Sequence, residues 1–225
     1  MPVGDLNSLV NHLTETGVLK TPLIIDAFLN IDRIKFVPDA AKQWAYIDQP
    51  LSIAGGQTIS QPYTVAFMLE LLQPQPGEKI LDIGAGSGWQ TSLLAHIVSS
   101  GEGGGKVFAV EIVPELCKLG KKNVGQFNFI EKGIVRWLCG DASKKETFEP
   151  AEDEISERVD KIIAAAALDA RIPQTWKDML KIGGKIVVPI GNSIWLFIKK
   201  DKDDFESVEH SGFVFVPFVT NEQGT

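Results

Sequence analysis

The 225-residue sequence has few cysteines, few histidines and fewer basic than acidic residues. Two cysteines, Cys117 and Cys139, are too few for a disulfide framework, so we interpret them as small hydrophobic residues in a reducing cytoplasm. The three histidines have no partners at metal-ligand spacing, so we predict no metal site. Lysine and arginine number 22 against 29 acidic residues, and the net charge of −7 gives no general attraction to nucleic acid or an anionic membrane.

The sequence also lacks an apolar segment long enough to span a membrane, and its first residues do not resemble a signal peptide. We therefore expect a soluble, cytoplasmic protein. Hydrophobic residues make up 44% of the chain and charged residues 23%, which allows a sizeable core and argues against global disorder. The length suits one domain.

Apolar residues at helical spacing predict two short helices near the N-terminus, and Pro62 suits the first turn of a helix through Leu72. Beyond Lys79, apolar strands alternate with helices. The predicted strands are 79–83, 106–112, 134–139, 161–167, 185–190, 194–199 and 213–218, and the helices are 87–98, 114–123 and 173–180. We interpret segment 101–105 as a surface loop and segment 144–157 as either a loop or a short exposed helix.

This alternation indicates an α/β fold with a doubly wound, mostly parallel sheet and antiparallel strands at its C-terminal edge. We predict a single domain in which residues 1–75 form an N-terminal helical extension and residues 76–225 a Rossmann-like core.

A glycine-rich turn, 82–88 (DIGAGSG), joins the first of these strands to its helix. Glycines let a ligand approach the backbone, and the helix N-terminus offers free N–H groups. A dinucleotide fingerprint needs a glycine where this chain has the large indole of Trp89. The pattern Asp-x-Gly-x-Gly-x-Gly is instead the usual one for S-adenosylmethionine.

Two acidic residues follow the next two strands. Glu111 ends its strand where a carboxylate can accept hydrogen bonds from both ribose hydroxyls, and Asp141 follows Gly140. Because ligands bind beyond the carboxyl ends of the strands, we expect Asp82, Glu111 and Asp141 to face one crevice. Such acids are often merely exposed, but the combined set favours cofactor binding.

The polar segment 57–63 (QTISQPY) follows two glycines and leads into the apolar helix predicted to start at Pro62. By composition alone, Ser60 is best interpreted as the N-cap of that helix.

Residues 19–218 also resemble a known family, and two motifs are the most specific: YIDQPL at 46–51 and GQTISQP at 56–62. Supporting motifs are RIKFVP at 33–38, the glycine turn at 82–88, IIAAAA at 162–167 with Ile172-Pro173, GGKIVVPIG at 183–191 and VPF at 216–218. In their order and spacing they resemble the protein-L-isoaspartate (D-aspartate) O-methyltransferases, which are protein-repair carboxyl methyltransferases.

The resemblance implies methyl transfer from S-adenosylmethionine to the free carboxyl group of L-isoaspartyl and D-aspartyl residues in damaged proteins and peptides. S-adenosylhomocysteine is the product, and repair proceeds through a succinimide. The resemblance places the active-site serine at Ser60. The cofactor contacts that it implies, together with the glycine turn, are Gln57, Thr58, Ile59, Ser60, Asp82, Gly84, Ala85, Gly86, Ser87, Gly88, Glu111, Ile112, Asp141, Ala142 and Val219.

The chain departs from the family pattern at three positions: Ala142 stands where glycine is usual, Trp89 where tyrosine or a smaller residue is common, and Lys185 where arginine is usual. An alternative is a class I methyltransferase for a different carboxylate, peptide or small molecule. A second alternative, a nucleotide-binding Rossmann protein without methyl transfer, is disfavoured by Trp89. We predict a monomer with no nucleic-acid or membrane partner.

Overall fold

A seven-stranded sheet organises the residues that this computed structural model describes, 4–101, 103–155 and 158–220. In chain order the strands are β1 (Leu51–Ser52), β2 (Thr58–Ile59), β3 (Lys79–Ile83), β4 (Lys106–Glu111), β5 (Val135–Cys139), β6 (Val159–Ala164), β7 (Leu180–Ile190), β8 (Ser193–Lys199) and β9 (Phe205–Ser211). The helices are α1 (Leu6–Glu15), α2 (Pro22–Asn30), α3 (Pro62–Leu72), α4 (Trp89–Val98), α5 (Pro114–Gly125), α6 (Glu152–Ile155) and α7 (Gln174–Met179). Short 3-10 helices cover Arg33–Phe36, Asp39–Trp44, Ala54–Gly56 and Lys145–Ala151.

The large sheet has the strand order β5-β4-β3-β6-β7-β8-β9. Neighbours from β5 to β7 are parallel, and β8 and β9 add antiparallel at the edge. The chain proceeds from β3 outward through β4 and β5, then returns to the other side of β3 with β6. This reversal makes a topological switch point, where the carboxyl ends of the central strands leave a crevice for a ligand. The predicted fold class is confirmed.

Both faces of the sheet are buried because side chains alternate along each strand. In β3, Ile80 belongs to a core with α1 to α4, whereas Leu81 and Ile83 belong to a core on the other face with Phe148 and Trp176. Each hydrophobic strand therefore stabilises two layers at once.

The C-terminal strand predicted at 213–218 is wrong. Up to residue 220, where the described part of the chain ends, the last strand is β9, a polar and largely exposed segment that pairs with the whole of β8. Phe213 instead packs against the ring of Phe67 at 4.9 Å between centroids, and residues near Pro217 make an isolated parallel bridge with Ala167. The apolar segment 213–218 therefore packs against other parts of the chain and does not form a strand of the sheet.

Cys117 and Cys139 form a disulfide, with 5.9 Å between their Cα atoms. Our interpretation of them as separate small hydrophobic residues is therefore wrong. They are 22 residues apart in the sequence, and the packing of α5 against β5 brings them together. The indole N–H of Trp137 also donates to the sulfur of Cys117, at 3.0 Å.

The segment predicted as a loop or short helix contains the 3-10 helix Lys145–Ala151 and α6, while its residues 156–157 lie outside the described part. Residue 102 of the glycine-rich loop lies outside it as well. Among the residues described, no helix combines the length and the apolarity needed to cross a bilayer.

Candidate active site

A cavity opens where β3, β4 and β6 end, and it encloses about 840 Å³ including its mouth. Its walls include residues 57–60, the glycine turn, and residues 216–219. The last stretch is held by Ala167, whose N–H donates to the Val216 carbonyl and whose carbonyl accepts from the Phe218 N–H, both at 2.8 Å.

The glycine turn needs glycine for a steric reason at Gly88. This residue has φ +84, and a Cβ there would lie 2.6 Å from a methyl carbon of Val124 and 3.0 Å from the Gly120 carbonyl oxygen. Close packing of the turn against α5 therefore excludes a side chain. Residues 84–87 of the turn line the cavity, and two of them, Gly84 and Gly86, have no side chain.

Glu111, at the end of β4, is 4% exposed and lines the cavity. One carboxylate oxygen accepts the Gly86 N–H and the other accepts the Val113 N–H, both at 2.8 Å. Burial raises the pKa of Glu111, against the lowering effect of these two hydrogen bonds. A carboxylate has about four acceptor positions, so it can still accept from a ligand.

Asp82 and Asp141 do not line the cavity, which corrects the expectation that they face it beside Glu111. Asp82 is fully buried and accepts hydrogen bonds from Gln90 at 2.7 Å and Thr91 at 2.5 Å, so it fastens β3 to α4. Burial raises the pKa of Asp82 to about 6. Asp141 is buried too, and its carboxylate accepts from both the N–H and the hydroxyl of Ser143.

Ser60 lies between β2 and α3 in the wall of the cavity and is half-buried. Its interpretation as a helix N-cap is wrong, because the N-cap of α3 is Gln61 and no side chain caps that helix end. Within the described residues, the Ser60 hydroxyl makes no hydrogen bond, whereas its carbonyl accepts one. A free hydroxyl donor therefore borders the cavity.

A model of the protein-L-isoaspartate(D-aspartate) O-methyltransferase family matches residues 5–223 of the chain. The chain belongs to this family. Similar relatives include the protein-L-isoaspartate O-methyltransferase of Methanopyrus kandleri, 35% identical over 95% of this chain and 91% of that protein. The enzyme of the same name from Thermococcus sibiricus is 36% identical over 94% of this chain and 91% of its own length.

Solved structures agree with this fold. A Plasmodium falciparum structure described as a protein-L-isoaspartate O-methyltransferase in complex with S-adenosyl-L-homocysteine has a TM-score of 0.82 and 23% identity, covering 97% of this chain and all of that one. At that identity it shows the fold alone. Another structure of a protein-L-isoaspartate O-methyltransferase has a TM-score of 0.77 and 28% identity, over 96% of this chain and 66% of the other.

Most of the site residues that we predict from the sequence line this cavity. Those that line it are Gln57, Thr58, Ile59, Ser60, Gly84, Ala85, Gly86, Ser87, Glu111, Ile112, Ala142 and Val219. Those outside its lining are Asp82, Gly88 and Asp141. The cofactor contacts predicted for these three residues stay predictions.

Sequence reasoning missed a second set of lining residues: Val65, Ile83, Trp89, Gln90, Val110, Val113, Leu116, Gly140, Ala165, Ala166, Val216, Pro217 and Phe218. Ala165 and Ala166 follow β6 and could have been found from the same strand-end rule that selected Glu111. Trp89 lines the cavity and also packs as a helix residue, with its indole N–H donating to the Ile31 carbonyl at 3.2 Å.

Among the lining residues of the described structure, Glu111 is the only one with an ionisable side chain. The cavity thus presents main-chain groups, hydroxyls and apolar walls, with no histidine, lysine or cysteine. Such a site can bind and orient reactants, and it suits a reaction whose nucleophile is already ionised.

Proposed function

We infer that this chain methylates the free carboxyl group of L-isoaspartyl and D-aspartyl residues in damaged proteins and peptides, with S-adenosylmethionine as the methyl donor. Membership of the family over residues 5–223 supports the activity and the cofactor. The single observation that carries the mechanism is the Ser60 hydroxyl, which makes no hydrogen bond within the described structure and lines the same cavity as Glu111 and the glycine turn.

The residues present fit S-adenosylmethionine. Glu111 keeps acceptor capacity for the two ribose hydroxyls, and Gly84 and Gly86 leave the main chain of the turn open to a ligand. Ile112, Leu116 and Ala142 supply an apolar wall for an adenine ring. S-adenosylmethionine supplies a sulfonium-activated methyl group, which the substrate carboxylate can take by direct displacement.

The protein's part is positioning. A carboxyl group is already ionised at neutral pH, so no strong base is required, in accord with the lining of the cavity. Ser60 donates a hydrogen bond to one carboxylate oxygen and directs the other toward the methyl group. Residues 216–219 and the segment around Ser60 line the cavity, so a bound substrate carboxylate would lose part of its hydration there, which would strengthen that hydrogen bond.

Replacement of Ser60 by alanine tests this role. We expect kcat/KM on an isoaspartyl peptide to fall about 100-fold, the usual cost of a lost positioning hydrogen bond in a catalytic site. Affinity for S-adenosylhomocysteine, measured by calorimetry, should stay near that of the wild type. Ser207→Ala, an exposed serine on β9, is the matched control. Full kcat/KM in Ser60→Ala would exclude the role.

A methanol-release assay tests the substrate. The methyl ester cyclises without the enzyme, because the neighbouring backbone nitrogen attacks it, methanol leaves, and the succinimide opens partly to normal aspartate. We expect methanol from an isoaspartyl peptide and none above background from the same peptide with aspartate. Equal release from both would favour a class I methyltransferase for other carboxylates.

We further propose that the chain acts as a monomer in the cytoplasm, with residues 1–75 as an extension that carries the Ser60 segment and residues 76–225 as the core. The net charge of −7 supports the absence of nucleic-acid and membrane partners. Light scattering of the purified chain tests the monomer.

A further inference from the structure

Arg33 makes hydrogen bonds that hold the segment containing Ser60. The guanidinium is fully buried, and it donates to four main-chain carbonyls in two stretches of chain, 45–49 and residue 60. One terminal nitrogen donates to Ala45 at 2.8 Å and Ile47 at 3.3 Å, and the other to Gln49 at 3.0 Å and Ser60 at 3.1 Å. The carbonyl of Ser60, the proposed active-site serine, thus accepts a hydrogen bond from a planar and buried guanidinium.

The guanidinium is also in contact with the start of α4. Its central carbon lies 5.3 Å from the centre of the Trp89 ring, a cation–π arrangement beside the glycine turn. Burial lowers the pKa of Arg33 to about 10, and the nearby negative charge of Asp48 opposes this change. Arg33 therefore stays charged at neutral pH, and its hydrogen bonds are of the stronger, charge-assisted kind.

Asp48 holds the chain on the other side of the serine. Its carboxylate accepts the Tyr63 N–H at 2.8 Å and the side-chain amide of Gln61 at 3.2 Å. The same amide donates to the Asp48 carbonyl at 3.1 Å. Residues 60, 61 and 63 are therefore fixed by a buried cation and a nearby anion, while the serine hydroxyl makes no hydrogen bond to any residue that the structure describes.

We propose that Arg33 is a positioning residue for Ser60, with Asp48 as the second support of the same segment. The two side chains hold the main chain so that the serine hydroxyl meets the substrate carboxylate in one orientation. This inference rests on the role proposed for Ser60 above.

Lysine is the informative replacement for Arg33. It keeps the positive charge, but one ammonium group has three donors and cannot reproduce the planar fork that reaches four carbonyls. In Arg33→Lys we expect kcat on an isoaspartyl peptide to fall at least about tenfold, a typical result of slight misplacement of a catalytic group. KM and the Kd of S-adenosylhomocysteine should change less than about threefold, because the cofactor contacts are untouched.

A double-mutant cycle with Ser60→Ala separates positioning from general damage. If Arg33 acts through the serine hydroxyl, Arg33→Lys should cost little further kcat once that hydroxyl is absent, less than about threefold. Lys35→Arg, an exchange of basic residues at an exposed position of the same 3-10 helix, is the control and should leave kcat unchanged.

Two results would overturn the inference: wild-type kcat in Arg33→Lys, or the same fold loss of kcat with and without the Ser60 hydroxyl. Failure of the role proposed for Ser60 is visible separately, since Ser60→Ala alone would then keep full activity. Failure of the proposed substrate is visible in the wild type, which would then release no methanol from the isoaspartyl peptide.

Asp48→Asn is the second variant should Arg33→Lys fail to fold by circular dichroism. The amide keeps an oxygen for the Tyr63 N–H but loses the charge beside the Gln61 amide and Arg33. We expect kcat to fall about three- to tenfold with Ser60 present and to stay unchanged in the Ser60→Ala background. An equal loss in both backgrounds, or none with Ser60 present, would reject the positioning role.

Discussion

Replacement of Glu111 by glutamine tests how the site recognises the ribose. The two carboxylate oxygens each accept one main-chain N–H at 2.8 Å, from Gly86 and from Val113. Glutamine has nearly the same shape but carries one oxygen and one NH2 group. One of the two main-chain donors would therefore face another donor, and the ribose would lose a charged acceptor.

The expected size follows from these contacts. A hydrogen bond to a charged group contributes about 1.5–3 kcal/mol, so loss of one such bond to ribose weakens binding about 10- to 150-fold. The main-chain donor left without its acceptor adds a penalty of about 1–3 kcal/mol to the free protein as well as to the complex. Because that penalty falls on both states, it lowers stability more than affinity.

Isothermal titration with S-adenosylhomocysteine measures the affinity, and urea unfolding measures the stability. Glu115→Gln, four residues further along and exposed in the first turn of α5, is the matched control and should bind as the wild type does. A Kd for Glu111→Gln within about threefold of the wild type, less than 1 kcal/mol, would refute the ribose contact.

Two further predictions concern the free energy of unfolding, to which the buried carboxyl group of Asp82 and the disulfide both contribute. Burial raises the pKa of Asp82 to about 6, so between about pH 4 and that value the native state holds a proton that the unfolded state has released. The free energy of unfolding therefore falls as pH rises through this window, by on the order of 3 kcal/mol. Urea unfolding should show a smaller fall in Asp82→Asn than in the exposed control Asp169→Asn, and identical slopes would contradict the assignment. The Cys117–Cys139 disulfide closes a loop of 22 residues, so its removal in the doubly serine-substituted chain should cost about 3 kcal/mol and lower Tm by roughly 6–12 °C. Two reactive thiols in the unfolded, unreduced wild type would show that the disulfide is absent.

The parts of the fold that were predicted correctly carry local signals. α3 and β3 begin and end at the predicted residues, because a proline marks the start of the helix and the glycine turn marks the end of the strand. β9 has no such signal. Its residues are mostly polar and exposed, and they become a strand because the edge of β8 supplies hydrogen-bond partners along its full length.

The site divides in the same way. Glu111 and the glycine turn were identified because strand ends and glycine spacing are readable within a few residues. The family motif identified Ser60, whereas composition alone assigned it to a helix cap that the structure gives to Gln61. The inward orientation of Asp82 had no sequence signal, since an acid at a strand end can point toward the ligand or toward the following helix.

By itself, then, the sequence determined the alternation of strands and helices, the position of the cofactor turn and the family motifs around Ser60. Only the tertiary structure decided that Arg33 donates to a carbonyl 27 residues away and that two cysteines 22 residues apart are joined. It also decided that the Asp82 carboxylate accepts from α4 and does not line the cavity. The physical reason is range. Strand, turn and helix preferences come from neighbouring residues, whereas a buried charge or thiol takes whatever partner the packing of distant elements brings to it.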